Sequence, residues 1–139
     1  MRNLKTITLS SILVAFFATA ASAQTNAPKT HKQVRVTGTY TNMYYNAEGG
    51  DVIGDEIKIV YTRHGYQGVV QFAEGEPEEL VIVSIEVVGA KISFSVPDSS
   101  PYAGKFIGII EKEVLKGEFK FKNGGADKVE LKRRKSYWD

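Results

Sequence analysis

Apolar and polar positions alternate with a period of two through most of this chain. Val81, Val83, Ile85 and Val87 alternate with Leu80, Ile82, Ser84 and Glu86; after Gly89-Ala90, Ile92, Phe94 and Val96 alternate with Lys91, Ser93 and Ser95. Two such runs around a glycine-containing turn predict a β-hairpin with one face to bury. The same pattern recurs on both sides of it. A first strand is expected over 34–44, with Val36, Gly38, Tyr40 and Asn42 on one face, and a loop over 46–51. A second strand carries Ile53, Ile57, Ile59 and Tyr61 on one side, and a third carries Tyr66, Gly68, Val70 and Phe72. Beyond the hairpin, Pro97 and Pro101 bound a loop, and Phe106, Gly108 and Ile110 mark the next strand. Leu115, Gly117, Phe119 and Phe121 then alternate with Lys116, Glu118, Lys120 and Lys122. Asn123-Gly124-Gly125 is a turn signal, and Val129, Leu131 and Arg133 share the inner face of the last strand.

That gives eight strands with short links and no helical period. Sequence neighbours joined by short turns pair antiparallel, and a sheet of this size closes to remove its edges. The expected architecture is all-β: an eight-stranded antiparallel up-and-down barrel, with a two-sheet sandwich as the alternative. A membrane barrel needs an uninterrupted apolar outer band. Here Glu118, Lys120, Lys122, Glu130 and Lys132 occupy the outer face, so insertion of the mature chain in a membrane is not expected.

The N-terminus adds location. Arg2 and Lys5 precede an apolar run from Ile7 to Ala20, followed by Ala21-Ser22-Ala23. This is the order of a secretory signal peptide, with cleavage after Ala23; the run is shorter than the ~20 residues of a membrane span. Three segments are therefore expected: a signal peptide over 1–23, a polar arm over 24–33 and a barrel domain over 34–139, periplasmic or secreted. The chain has no cysteine, which rules out a lipidated cysteine and any disulfide framework. Residues 24–139 carry sixteen basic and sixteen acidic side chains, but unevenly: six against ten up to Gly104, ten against six from Lys105. Such segregation orients partners or simply solvates the strand faces.

Gly38-Thr39-Tyr40-Thr41-Asn42 resembles the G-x-W opening of lipocalins and avidins, with tyrosine in place of tryptophan. Arg133 falls where such calycin-type barrels set a basic side chain across that aromatic. The ending Lys132-Arg133-Arg134-Lys135-Ser136-Tyr137-Trp138 is similar to that of small secreted bacterial proteins of lipocalin-like fold and unassigned role. The resemblance implies a binding barrel. Asn42 stands where avidins place a biotin-binding asparagine, yet the tryptophans of a biotin pocket have no counterpart, since Trp138 is the only one.

The chemistry available points the same way. An eight-stranded barrel is filled by side chains or holds one small ligand. Tyr40, Asn42, Tyr61, Tyr66 and Arg133 are the candidates for fixing the polar end of a small, mostly apolar ligand; alternatively they satisfy one another at the barrel floor. Catalysis is not expected: His31 and His64 lack ligand-type neighbours, and no serine sits in a nucleophile-elbow context. No cofactor is called for. The glutamates at 74, 76, 78 and 79 read as a solvated loop rather than a metal site. The proline-stiffened 98–105 loop, with Ser100, Tyr102 and Lys105, suggests an alternative: a protein-interaction or inhibitor module, of a lysozyme or protease for example. Val60, Val69, Leu80 and Ile82 fall on the outer face, and an apolar patch there would serve that module or a homodimer through Val60, Val69 and Ile82. A neutral exported chain without stacking platforms is not expected to bind nucleic acid.

Overall fold

The computed structural model describes residues 34–139, so the expected signal peptide, its cleavage site and the polar arm lie outside the described residues. Ten strands follow one another in the chain: β1 (Gly38–Thr41), β2 (Tyr44–Asn46), β3 (Asp51–Thr62), β4 (Gly65–Gly75), β5 (Val81–Ser84), β6 (Glu86–Val88), β7 (Lys91–Val96), β8 (Gly104–Glu111), β9 (Val114–Phe121) and β10 (Ala126–Arg133). Every pairing is antiparallel, in the order β5-β4-β3-β1-β10-β9-β8-β7-β6, with β2 beside β3. Because β5 and β6 are consecutive in the chain yet end opposite edges of the sheet, the sheet curls into a nearly closed barrel. Among the described residues no helix is long and apolar enough to cross a membrane.

The count is ten rather than eight because two expected strands each break once. The fourth changes partner at Ile85: β5 pairs with β4, β6 pairs with β7, and the Ile85 N–H still donates to the Tyr66 carbonyl at 3.0 Å. The first breaks at Asn42-Met43. There Tyr40, Thr41 and Met43 are all buried, which strict alternation forbids. Side chains share the ladder there: the Asn42 N–H still donates to the Asp55 carbonyl at 3.1 Å, which also accepts from the Thr41 hydroxyl at 3.1 Å, while Asn42 Oδ1 takes the Asp55 N–H at 2.7 Å. On the facing strand Gly54 has φ of +113° and lies against Asn42 and Met43, where a side chain would be both strained and crowded.

The interior is one apolar cluster. Tyr40, Ile57, Val70, Phe106, Leu115 and Leu131 are fully buried within it. Phe94 stacks on Phe106 at 4.9 Å between ring centroids, and Phe106 meets Phe119 at 4.6 Å. One end of the barrel is formed by the turns at 62–65, 88–91 and 111–114 with residues 34–37 and the end of β10. The other, the loop end, is formed by 46–51, 75–81, 97–104 and 122–126.

Candidate functional site

Tyr40 and Arg133 are brought together as expected. They are register partners across β1 and β10, and the guanidinium lies over the tyrosine ring, 4.6 Å from its centroid. The Tyr40 hydroxyl donates to the Val36 carbonyl at 2.9 Å, while Arg133 donates to that hydroxyl and to the Thr37 and Arg35 carbonyls. Glu113 Oε2 stands 2.7 Å from Arg133 Nε, off the N–H axis, and completes an ion pair. Burial pushes the Tyr40 hydroxyl pKa above its usual value, and the Arg133 charge opposes that rise. The pair thus sews residues 35–37 across one end of the barrel.

The other expected ligand residues lie elsewhere. Asn42 sits at the strand break, its amide oxygen taken by Asp55. Tyr61 was expected inside by alternation; it is 68% exposed at the end of β3, because the barrel wall has run out there. It meets the half-buried Tyr66 edge-on at 4.8 Å, on the same rim.

At the loop end the expected interaction loop is turned inward. Its backbone folds on itself: the Ser100 N–H donates to the Pro97 carbonyl, the Ala103 N–H to the Ser100 carbonyl, and the Tyr102 N–H to the Ser100 hydroxyl. Tyr102 is half-buried, stacked on Phe72 at 4.3 Å and 6.1 Å from Phe121. Lys105 instead lies exposed at the start of β8, so Tyr102 and Lys105 do not form one anchor. Asp55, a residue the alternation of Ile53, Ile57 and Ile59 passes straight through, is the cross-strand partner of Phe72. Its carboxyl pKa rises to about 7, chiefly from burial, with Asp127 and Glu74 adding repulsion. Tyr102 is also raised, by burial first and then by Glu74, Glu78 and Asp55. These acids do not converge into a group able to hold a metal ion.

Outside the barrel, the tail after β10 crosses back over β1. Ser136 Oγ donates to Glu56 Oε1 at 2.6 Å, the Tyr137 N–H donates to Glu56 Oε2 at 2.8 Å, and Trp138 Nε1–H donates to Gln71 Oε1 at 2.8 Å. Glu56 points outward yet is only 7% exposed, because the tail covers it. Of the expected outer patch, Val69 and Ile82 are cross-strand partners and Ile82 is 72% exposed. Lys58 flanks Val69 on its other side, and Val60 pairs with Gln67.

No known family model matches the chain, and comparison with curated proteins and with solved structures found no significant match. The fold is compatible with a calycin-like barrel on its architecture alone.

Proposed function

We propose that this is an exported, non-enzymatic binding protein that takes a small, mostly apolar molecule at the loop end of its barrel, with Tyr102 as the cover. The observation that carries the reading is the Phe72–Tyr102 stack. Phe72, Phe94, Phe106, Phe119 and Phe121 are held by strands, whereas Tyr102 is held by a loop. Swinging Tyr102 away uncovers the Phe72 ring and the edge of Phe121, and a ligand's apolar body replaces the tyrosine ring at little cost in burial. Asp55, beside Phe72 on the neighbouring strand, would meet the ligand's polar end, as hydrogen-bond donor when protonated or as acceptor when ionised. Export rests on the N-terminal pattern of Arg2, Lys5, the apolar run and Ala21-Ser22-Ala23.

Native mass spectrometry of the protein purified from its own host compartment tests this directly. The expected result is an extra mass that is lost on denaturation and is more fully occupied in Tyr102→Ala material prepared alongside, where the ligand no longer has to displace the ring. A bare mass for the unaltered protein, or a retained mass indifferent to Tyr102, overturns the reading.

A further inference from the structure

Among the described residues, neighbouring strands are laddered all the way round the barrel wall except at one place, where β5 runs beside β7. The two lie within 8 Å of each other, Cα to Cα, yet share no register pair. The alternation of the flanking ladders shows which groups go unpaired there. The Ile85 N–H donates to the Tyr66 carbonyl at 3.0 Å, so Val81, Val83 and Ile85 address β4, and Ile82 and Ser84 turn their N–H and C=O groups toward β7. The Ile110 N–H donates to the Ala90 carbonyl at 2.8 Å, so Ile92, Phe94 and Val96 address β8, and Ser95 turns its own groups toward β5. Side chains alone close this seam. Val83, Ile85, Phe94 and Val96 are buried in the common core beneath it. On its outer side lie two clefts, one of about 280 Å³ between 78–82 and 97–101, the other of about 300 Å³ between Ser84 and 93–95. One end of the seam is pinned, because the chain itself crosses at Ile85 from the β4 side to the β7 side. At the loop end the two banks are joined by the Phe72–Tyr102 stack. Phe72 belongs to β4, whereas the Tyr102 loop is held from the β9 side by the Lys122 N–H, which donates to the Ala103 carbonyl at 2.8 Å.

We propose that this seam is a side gate of the barrel. It pivots at Ile85 and parts at the loop end, where the 97–104 loop gains room to carry Tyr102 off Phe72. Parting here breaks no rung of the sheet, whereas parting β8 from β9 would break a ladder eight register pairs long. The cost is the exposure of Val83 and Val96 and the loss of one ring stack. The gate uncovers Phe72 for the ligand proposed above and in that purpose rests on that reading, but the motion itself needs no ligand.

The chain has no cysteine, so Val83→Cys, Val96→Cys and Val70→Cys are each single-thiol proteins, and cysteine packs as a small apolar side chain in place of valine. Val70 is as deeply buried as the other two, but its strand is laddered on both sides, to Ile57 and to Val81. N-ethylmaleimide labelling of the three, without denaturant and followed by mass, reads the gate. Cysteines at 83 and 96 are expected to react roughly tenfold or more faster than one at 70, because a local opening reaches them and only global unfolding reaches Val70. Adding Tyr102→Ala should speed labelling at 83 and 96 by roughly two- to tenfold, the worth of one aromatic pair, and leave 70 unchanged. Equal rates at the three sites, or no labelling at any of them, overturn the proposal. So does a Tyr102→Ala effect that is absent or that extends to 70. The bound mass is measured separately, so a gate without a ligand and a ligand without a gate are different results.

Discussion

Two ionisable residues of opposite fate sit at opposite ends of the barrel. Arg133 meets three oxygen acceptors, an aromatic face and the Glu113 carboxylate, so its charge is compensated where it is half-buried. Asp55 is desolvated among other acids, and its folded pKa of about 7 stands well above its ordinary value of 3.8. The proton is therefore bound more tightly by the folded chain, and Asp55 costs stability once it must ionise. That contribution is favourable below pH ~4 and is lost as the pH rises to about 7. Asp55→Asn keeps the backbone N–H that donates to Asn42 and removes the charge. The substitution is expected to raise the melting temperature at pH 8 and to change it little at pH 4. Thermal unfolding of both proteins across that range checks it; equal gains at both pH values would mean that packing, not ionisation, is the cause.

At the scale of elements, the junction of β1 with β10 is short, with two register pairs, Tyr40 with Arg133 and Thr41 with Lys132. The tail reinforces it by reaching from β10 across β1 to Glu56 on β3 and Gln71 on β4. It is a clasp over a narrow seam. Deleting residues 136–139 leaves the Glu56 carboxylate without those partners, and a loss of about 1–3 kcal/mol is expected. Urea unfolding measures the loss, and amide exchange should accelerate first at Thr41 and Lys132. Uniform acceleration across the barrel would instead show that the tail stabilises the fold without serving the seam.

At the scale of the whole molecule, the centre of the barrel is filled by rings passing close to backbone. A Cβ at Gly117 would stand 2.6 Å from Phe106 Cε2 and 2.8 Å from the Ile107 carbonyl oxygen. Gly117→Ala is therefore expected to cost about 1–3 kcal/mol by overpacking, and adding Phe106→Leu should recover part of that. A double-mutant cycle by chemical denaturation reads the coupling; strictly additive losses would locate the strain in the backbone instead. A filled centre is also why the proposed ligand is placed at the loop end, where the covering ring moves with a loop rather than with the wall.

The period of two along the chain was enough for the all-strand class, the antiparallel order and most of the buried face, because alternation reports directly which side of a sheet meets water. It also placed Tyr40 opposite Arg133, since the first and last strands of a meander are neighbours once the sheet curls. Asp55 was passed over, although its place between Ile53 and Ile57 gives it the inward parity of that series. What alternation does not carry is any break in itself. Asn42 replaces a ladder bond with its side chain, Ile85 changes partner, and Tyr61 keeps the inward parity but outruns the wall. Nor does a local pattern say what lies across space: the tail on Glu56, or Tyr102 on Phe72. Those depend on where distant segments arrive, and only the packing of the closed barrel decides that.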